Sequence, residues 1–232
     1  MVRLNGLAIE DFAPILRETI EIDTPKIIDK WEDKAISHGA HFVRTKYGLR
    51  KIKVNLYLLI VSPEQRADYV NAVCRWANYT EPKVLELPNK PGRYINALVS
   101  SLPSASTREW WEKLSIEFTA GDPFFYDTDY RTAPCGVPFE IGGDGPASAY
   151  IQRISTTSVT DPSWELDGDK TIELDGTFDA GTMKADLDLK KVYLDDVSQM
   201  QYLTLQSRFF DLDPGVHTIV GSGTVFYKQR WL

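Results

Sequence analysis

Three histidines, His38, His41 and His217, are the only side chains in these 232 residues whose ordinary pKa suits proton transfer near neutrality. None lies in an H-E-x-x-H motif, and the chain carries no G-x-S-x-G, P-loop or C-x-x-C pattern, so protease, hydrolase and nucleotide-binding chemistry lose their usual anchors. Exposed or hydrogen-bonded loop histidines are the plainer reading. The run Asp161, Glu165, Asp167, Asp169, Glu173, Asp175, Asp179 contains enough carboxylates for a calcium site or a glycosidase pair. It offers no EF-hand loop, however, and Asp suits turns and the solvent face of strands. Cys74 falls on an apolar helical face as a small core residue, and Cys135 beside Pro134 has no obvious partner. The expectation is a chain with no catalytic residues, no metal and no cofactor.

The other residues with chemical potential are aromatic and basic. Trp110-Trp111, Phe124-Phe125 and Phe209-Phe210 are adjacent pairs, and neighbours on a strand point to opposite faces, so one member of each must find a surface outside a given core. Arg44, Lys46, Arg50, Lys51 and Lys53 form a basic cluster suited to an acidic neighbouring subunit or to nucleic acid; lysines on an exposed strand also block unwanted edge pairing. A net charge of −7 argues against nucleic acid as a main ligand. Residues 1–130 hold 17 Lys+Arg against 18 Asp+Glu, residues 131–232 hold 9 against 15, so the acidity lies in the second half.

With 43% hydrophobic and 25% charged residues the chain can bury a sizeable core. The longest apolar stretch, near Leu56–Val61, is too short to span a membrane, and the start Met1–Leu7 lacks the apolar core of a signal peptide. A soluble protein folding in a reducing cytoplasm is expected. Ile52, Val54, Leu56, Leu58 and Ile60 alternate with Lys51, Lys53, Asn55 and Tyr57, the period of a half-buried strand. With His41–Lys46 before it and Tyr47-Gly48 as the turn, residues 41–60 are expected to form a long antiparallel hairpin with a basic tip. Ser62-Pro63-Glu64-Gln65 is a helix start, and Ala67, Val70, Val73, Cys74 and Ala77 predict one helix over 63–78. Strands are expected at 83–87, 93–100 and 114–119, with a break at Pro103–Thr107. Beyond Gly121-Asp122-Pro123, strands punctuated every eight to twelve residues by Gly, Asp and Pro predict a β-sandwich, including a hairpin across Gly168-Asp169 and strands at 184–188, 191–194, 202–206, 218–220 and 225–231. The fold class is mainly β, in two domains, 1–130 and 131–232, with the boundary near residues 127–136.

Three separated motifs carry a family resemblance. Phe118-Thr119-Ala120-Gly121-Asp122-Pro123-Phe124-Phe125-Tyr126 resembles the strand, Asp-Pro-aromatic-x-Tyr junction of siphophage distal tail proteins. Pro91-Gly92-Arg93-Tyr94 followed by Ile95 is similar to that family's Pro-x-Arg-Tyr-aliphatic strand. Phe209-Phe210 through Pro214-Gly215 to Ile219 resembles its Phe-Leu-x-Pro-Gly-x-Asn-x-Ile segment, with His217 where Asn is common. The motif residues Arg93, Tyr94, Asp122, Pro123, Tyr126, Phe209, Phe210, Pro214 and Gly215 are then structural.

The resemblance implies a non-enzymatic virion protein: a homohexameric ring built by the N-terminal domain, with a galectin-like β-sandwich as the C-terminal domain. It implies a place at the tail tip, between the tail tube protein and the tail-associated tip protein, around the channel through which DNA passes as cargo. Receptor-binding proteins are expected as further partners, with synthesis in the host cytoplasm. Head-to-tail contacts close such a ring, and a long hairpin can add its edge to a neighbour's sheet. The basic cluster Arg44, Lys46, Arg50, Lys51 and Lys53 is the candidate inter-subunit contact, so that Lys51→Glu with Lys53→Glu would weaken ring formation. The alternative is a carbohydrate-binding module for host cell-wall saccharides, and a glycoside hydrolase ranks third. Shape alone does not decide between them, because function sits in sites rather than folds.

Overall fold

The computed structural model describes residues 1–33, 40–59, 62–107 and 111–232; His38, Ile60 and Trp110, named above, lie outside them. The chain divides into two compact units, Met1–Phe125 together with Leu232, and Tyr126–Trp231.

The first unit contains β1 (Arg3–Leu4), β2 (Leu7–Ala8), β3 (Ile15–Ile22), β4 (Ile27–Asp33), β5 (Ala40–Tyr47), β6 (Arg50–Leu59), α1 (Pro63–Ala77), β7 (Lys83–Glu86), β8 (Arg93–Thr107) and β9 (Trp111–Ala120). The alternation of β6 is realised: Ile52, Val54, Leu56 and Leu58 are buried with Leu114, Ile116 and Phe118 of β9. Its pairing differs from expectation. β6 is flanked by β3 on one edge and β9 on the other, so no edge is left for β5. A long hairpin is present, but β4 and β5 build it, with Ile27 opposite Tyr47 and Asp33 opposite Ala40.

β8 is longer than its pattern indicated. Residues 94–97 pair with β7 and residues 98–107 with β9, so one strand serves two partners. Register shifts between Val99 and Ser101 and between Ser101 and Ser104 carry it past Pro103, which takes no pair. Proline removes a ladder donor and is tolerated at such irregularities, so the expected break becomes a bulge. In α1, the Ser62 hydroxyl accepts from Gln65 N at 3.3 Å, as the Ser-Pro start requires. Val73, Trp76 and Ala77 are buried while Ala67 is exposed, so the packed face is turned toward Trp76. The Trp76 indole donates to Leu7 O at 3.0 Å and meets Phe118 edge-on at 6.4 Å.

Midway along β6 an uncharged polar residue is sealed in. Asn55 is 1% exposed; its amide donates to Glu21 Oε1 at 3.1 Å, and its oxygen accepts from the Ser115 hydroxyl. Asn55→Ala leaves the half-buried Ser115 hydroxyl without its acceptor while the exposed Glu21 turns to water, and removing one side of a buried hydrogen bond costs roughly 1–3 kcal/mol. A urea-unfolding midpoint lowered by that amount at constant slope is expected for this variant.

In the second unit, after β10 (Phe125–Asp127), the strands are β11 (Arg131–Pro134), β12 (Phe139–Ile141), β13 (Gly145–Ser155), β14 (Val159–Thr160), β15 (Ser163–Leu166), β16 (Lys170–Glu173), β17 (Thr177–Phe178), β18 (Gly181–Asp186), β19 (Lys191–Leu194), β20 (Val197–Ser198), β21 (Gly215–His217), β22 (Ile219–Gly221) and β23 (Thr224–Trp231). They form an antiparallel sheet β11-β23-β13-β18-β19-β20 and a smaller one, β16-β15-β22. Ile151, Met183, Val192 and Val225 of the first sheet share one buried cluster with Trp164, Leu166, Ile172 and Ile219 of the second, the arrangement of a β-sandwich. The hairpin across Gly168 forms as expected. The strand expected at 202–206 does not: Met200–Tyr202 is a turn of 3-10 helix followed by a bridge at Leu203. Gly143, at φ +90°, closes onto Arg230; an added Cβ would stand 2.2 Å from the Arg230 carbonyl oxygen.

Candidate assembly surface

Among the described residues the β4–β5 hairpin is a two-stranded ribbon with no third strand, and every residue of β5 is exposed. A lone two-stranded ribbon is marginal in water, and its outer edges present unpaired backbone donors and acceptors. Directly opposed residues share a face. Ile27 opposes Tyr47, Asp29 opposes Thr45 and Trp31 opposes Phe42, so one face carries two pairs with aromatic rings on either side of a polar pair in which the Thr45 hydroxyl donates to Asp29 Oδ1. Ile28 opposes Lys46, Lys30 opposes Arg44 and Glu32 opposes His41, so the other is predominantly basic. A register shift after Lys30 keeps the two sides in phase.

The aromatic face is open. Ile27 is 61% exposed, Trp31 58% and Phe42 44%, and Trp31 and Phe42 meet edge-on with ring centres 5.2 Å apart. Only its root is held: Tyr47 packs edge-on against Phe124 at 5.5 Å, and Gly48 N donates to Lys26 O at 2.7 Å. Large exposed aromatics gathered on one ribbon are the mark of a surface that a partner covers. On the other face Lys30 pairs with Glu32 at 2.7 Å, leaving Arg44 and Lys46 as its main exposed cations.

The five basic residues expected as one cluster are therefore divided. Arg44 and Lys46 stand together on the ribbon. Lys51 and Lys53 lie on the outward face of β6, where Lys53 sits between Glu21 and Glu117 and is locally balanced. Arg50 departs from the expected exposed tip: it is 3% exposed, its guanidinium 5.1 Å above the Phe125 ring, which Lys90 also approaches at 5.5 Å. Burial lowers the Arg50 pKa, and its Nε has no hydrogen-bond partner among the described residues. The aromatic residue that draws Arg50 inward lies 75 positions away, beyond the reach of local pattern.

The motif residues are spread over both units. Asp122 caps its own turn by accepting from Phe124 N at 3.2 Å, and Pro123, Phe125 and Tyr126 are buried. Arg93 and Tyr94 open β8, Tyr94 opposite Glu86. Phe210 is in the second unit's core with Phe209 half-buried against it, while Pro214 is exposed and Gly215 takes φ +144°. For the pairs 124–125 and 209–210 one ring is buried and the other half-buried, but Phe124, Phe209 and Phe210 lie outside the strands, so strand alternation is not what separates them.

Among the described residues, His217 is the histidine with a defined partner set. Its Nδ1 lies 2.7 Å from Asp167 Oδ2 and its Nε2 2.7 Å from Asp213 O, so both ring nitrogens face acceptors and neither is available as a base. Burial pushes the imidazole pKa down, but the bonds to Asp167 and to the Asp213 carbonyl outweigh it and hold it above the ordinary value. Burial likewise pushes the Asp167 carboxyl up, and the bonds from His217 and Thr218 N outweigh that and hold it low. The latch is complete where His217 is charged and Asp167 ionised. Its contribution is full below the ordinary imidazole pKa of about 6.5 and fades as pH rises through the raised value; at the acid end it fades as pH falls through the lowered Asp167 value. The thermal-midpoint gap between wild type and His217→Ala should therefore narrow from mildly acidic to alkaline pH; a gap constant with pH contradicts the latch. Of the other carboxylates of the run, Asp161 accepts from Gly176 N at 2.8 Å, while Glu165 and Glu173 lie on β15 and β16. Cys74 and Cys135 are free thiols whose pKa burial raises.

Residues 142–231 match the family model described as siphovirus-type tail component, C-terminal domain. The match is confined to the second unit. The tail-component segment holds most of the sandwich, from the turn before β13 to the end of β23. The crystal structure of phage SPP1 Dit, described as a paradigm of the hub adsorption apparatus in phages infecting Gram-positive hosts, matches with a TM-score of 0.83, covering 100% of this chain and 98% of that one at 15% identity. At that identity the likeness establishes the fold across both units. A chain of the phage P2 baseplate in its activated conformation with calcium gives a TM-score of 0.43 at 9% identity, covering 92% and 90%, too low to carry an argument. No curated protein matches the sequence. The resemblance to distal tail proteins read from the three motifs thus meets a tail-component segment in the second half and a Dit fold throughout.

Proposed function

We propose that the chain is a structural protein of a long-tailed phage or prophage. It forms a hexameric ring at the distal end of the tail, joins the tail tube to the tip and receptor-binding apparatus, and surrounds the channel through which DNA passes. The observation that carries this is the β4–β5 ribbon, a two-stranded element with exposed aromatic rings and, among the described residues, no further strand on either edge. The tail-component segment and the Dit fold supply the setting. A ribbon of this kind fits head-to-tail closure, in which one surface of each subunit meets a different surface of the next. Its edges add backbone hydrogen bonds to a neighbour's sheet, and its aromatic rings fill a groove there.

The basic face of the ribbon meets an acidic surface of the neighbouring subunit or of the tube protein. Arg44→Glu with Lys46→Glu is expected to weaken self-association, each exposed charge contributing about 0.2–1 kcal/mol, and to flatten its dependence on salt. Sedimentation at low and high ionic strength checks this; the same salt dependence in wild type and variant contradicts it.

Antibodies raised against the protein test the location. Gold label confined to the tail tip of intact virions is the expected result, and label on heads, or none on virions that contain the protein, contradicts the proposal.

A further inference from the structure

We propose that the outward face of β13 and β18 in the second unit binds a neutral pyranose of a polysaccharide. This gives residues to the carbohydrate-binding alternative, and it does not depend on ring formation. The site is a hollow of ≈ 630 Å³, within the range of about 300–1,000 Å³ usual for small-ligand sites. A solvated sheet face is ordinarily flush. Here Tyr130, in the loop before β11, and the Asp195-Asp196 turn between β19 and β20 supply walls, and Tyr150, Gln152, Thr182 and Lys184 supply the floor.

The floor is stiff. Tyr150 stacks on Phe226 at 4.9 Å with planes 8° apart, and Lys184 lies 4.5 Å over the Tyr150 ring while bonding Asp186 at 3.1 Å. The Asp195-Asp196 turn is pinned by Thr182 N, which donates to Asp195 Oδ1 at 2.8 Å, and by Asp195 N, which donates to Thr182 O at 3.0 Å. Tyr130 meets the Tyr150 ring edge-on at 5.3 Å and carries Lys228 Nζ 4.7 Å from its ring centre, yet keeps 47% of its surface in solvent. A large aromatic held upright and left exposed is a stacking platform in search of an apolar flat face.

The occupant follows from what lines the hollow. A pyranose has a face of C–H groups and a rim of hydroxyls that both donate and accept. The exposed Tyr130 ring meets the first need; Lys184 and the Gln152 amide donate, and the Asp196 carboxylate accepts. One lysine against two aspartates gives the lining a negative balance, and the surrounding half of the chain is acidic too, so a phosphate-bearing polymer is disfavoured.

The test uses the full chain on an array of neutral oligosaccharides with poly(glycerol phosphate) as the anionic probe, followed by titration of the best glycan. Wild type should bind a neutral glycan, Tyr130→Phe should retain that affinity within about twofold, and Tyr130→Ala should lose about tenfold or more, the scale of one aromatic contact. Tyr130 is exposed, so both variants should fold and self-associate as wild type does, which separates failure here from failure of the assembly proposal. No neutral glycan bound, binding to the phosphate polymer alone, or equal affinity in Tyr130→Ala overturns the inference.

Discussion

Trp31→Thr combined with Phe42→Thr is expected to abolish self-association at micromolar concentration while leaving the fold intact. Both rings are more than two-fifths exposed in the isolated chain, so their loss removes little from its own core. Threonine preserves strand propensity and forms acceptable cross-strand pairs, so the ribbon itself survives. In an assembly the same rings are central aromatic anchors, where truncation of each typically costs about 2 kcal/mol or more, roughly thirtyfold in affinity. Sedimentation velocity with circular dichroism separates the two effects: unchanged secondary structure with only the monomer remaining is expected. An assembly that persists in the double variant would place the interface elsewhere than on the aromatic face.

The second large effect lies in the tail-component segment. Trp164 is fully buried between the two sheets, and its indole donates to Ser222 O at 3.0 Å. Gly221 leaves room for it: at φ +143°, an added Cβ would come within 2.9 Å of the Trp164 ring. Trp164→Ala empties that volume at a cost of about 3–5 kcal/mol and orphans the carbonyl. Against a total stability of about 5–15 kcal/mol for a domain, this brings the sandwich close to unfolding. Trp164→Phe, which keeps most of the volume and loses the bond, should fall between. Denaturant midpoints for the three proteins order the effect; a loss below about 1 kcal/mol in Trp164→Ala would mean that the two sheets hold together without their largest side chain.

What could be read from the sequence, and what could not, follows from how local each signal is. The helix start at Ser62-Pro63 and the hairpin across Gly168 rest on residues a few positions apart, and both appear as expected. The alternation of β6 was legible because its inward residues are all large and apolar. Its partner was not, since period two marks a strand's faces and is silent about its neighbours. β5, with both faces exposed, carried nothing to direct it to β4 rather than β6. The central strand β13 escaped because its inward positions begin with Gly145, Ala147 and Ala149, too small to stand out from a loop. Arg50 was misplaced for the complementary reason: a basic residue in a basic run looks exposed until Phe125 arrives from a distant strand. The Tyr130 hollow draws on four separate segments, and no one of them shows the pattern of a site.

Ring formation is the central claim, and images of single particles test it most directly. Purified full-length protein at high concentration, negatively stained and classified without imposed symmetry, is predicted to give six-fold rings with an open centre, absent from the Trp31→Thr, Phe42→Thr variant. Closed particles of another symmetry, or wild-type rings indistinguishable from those of the variant, would contradict the account.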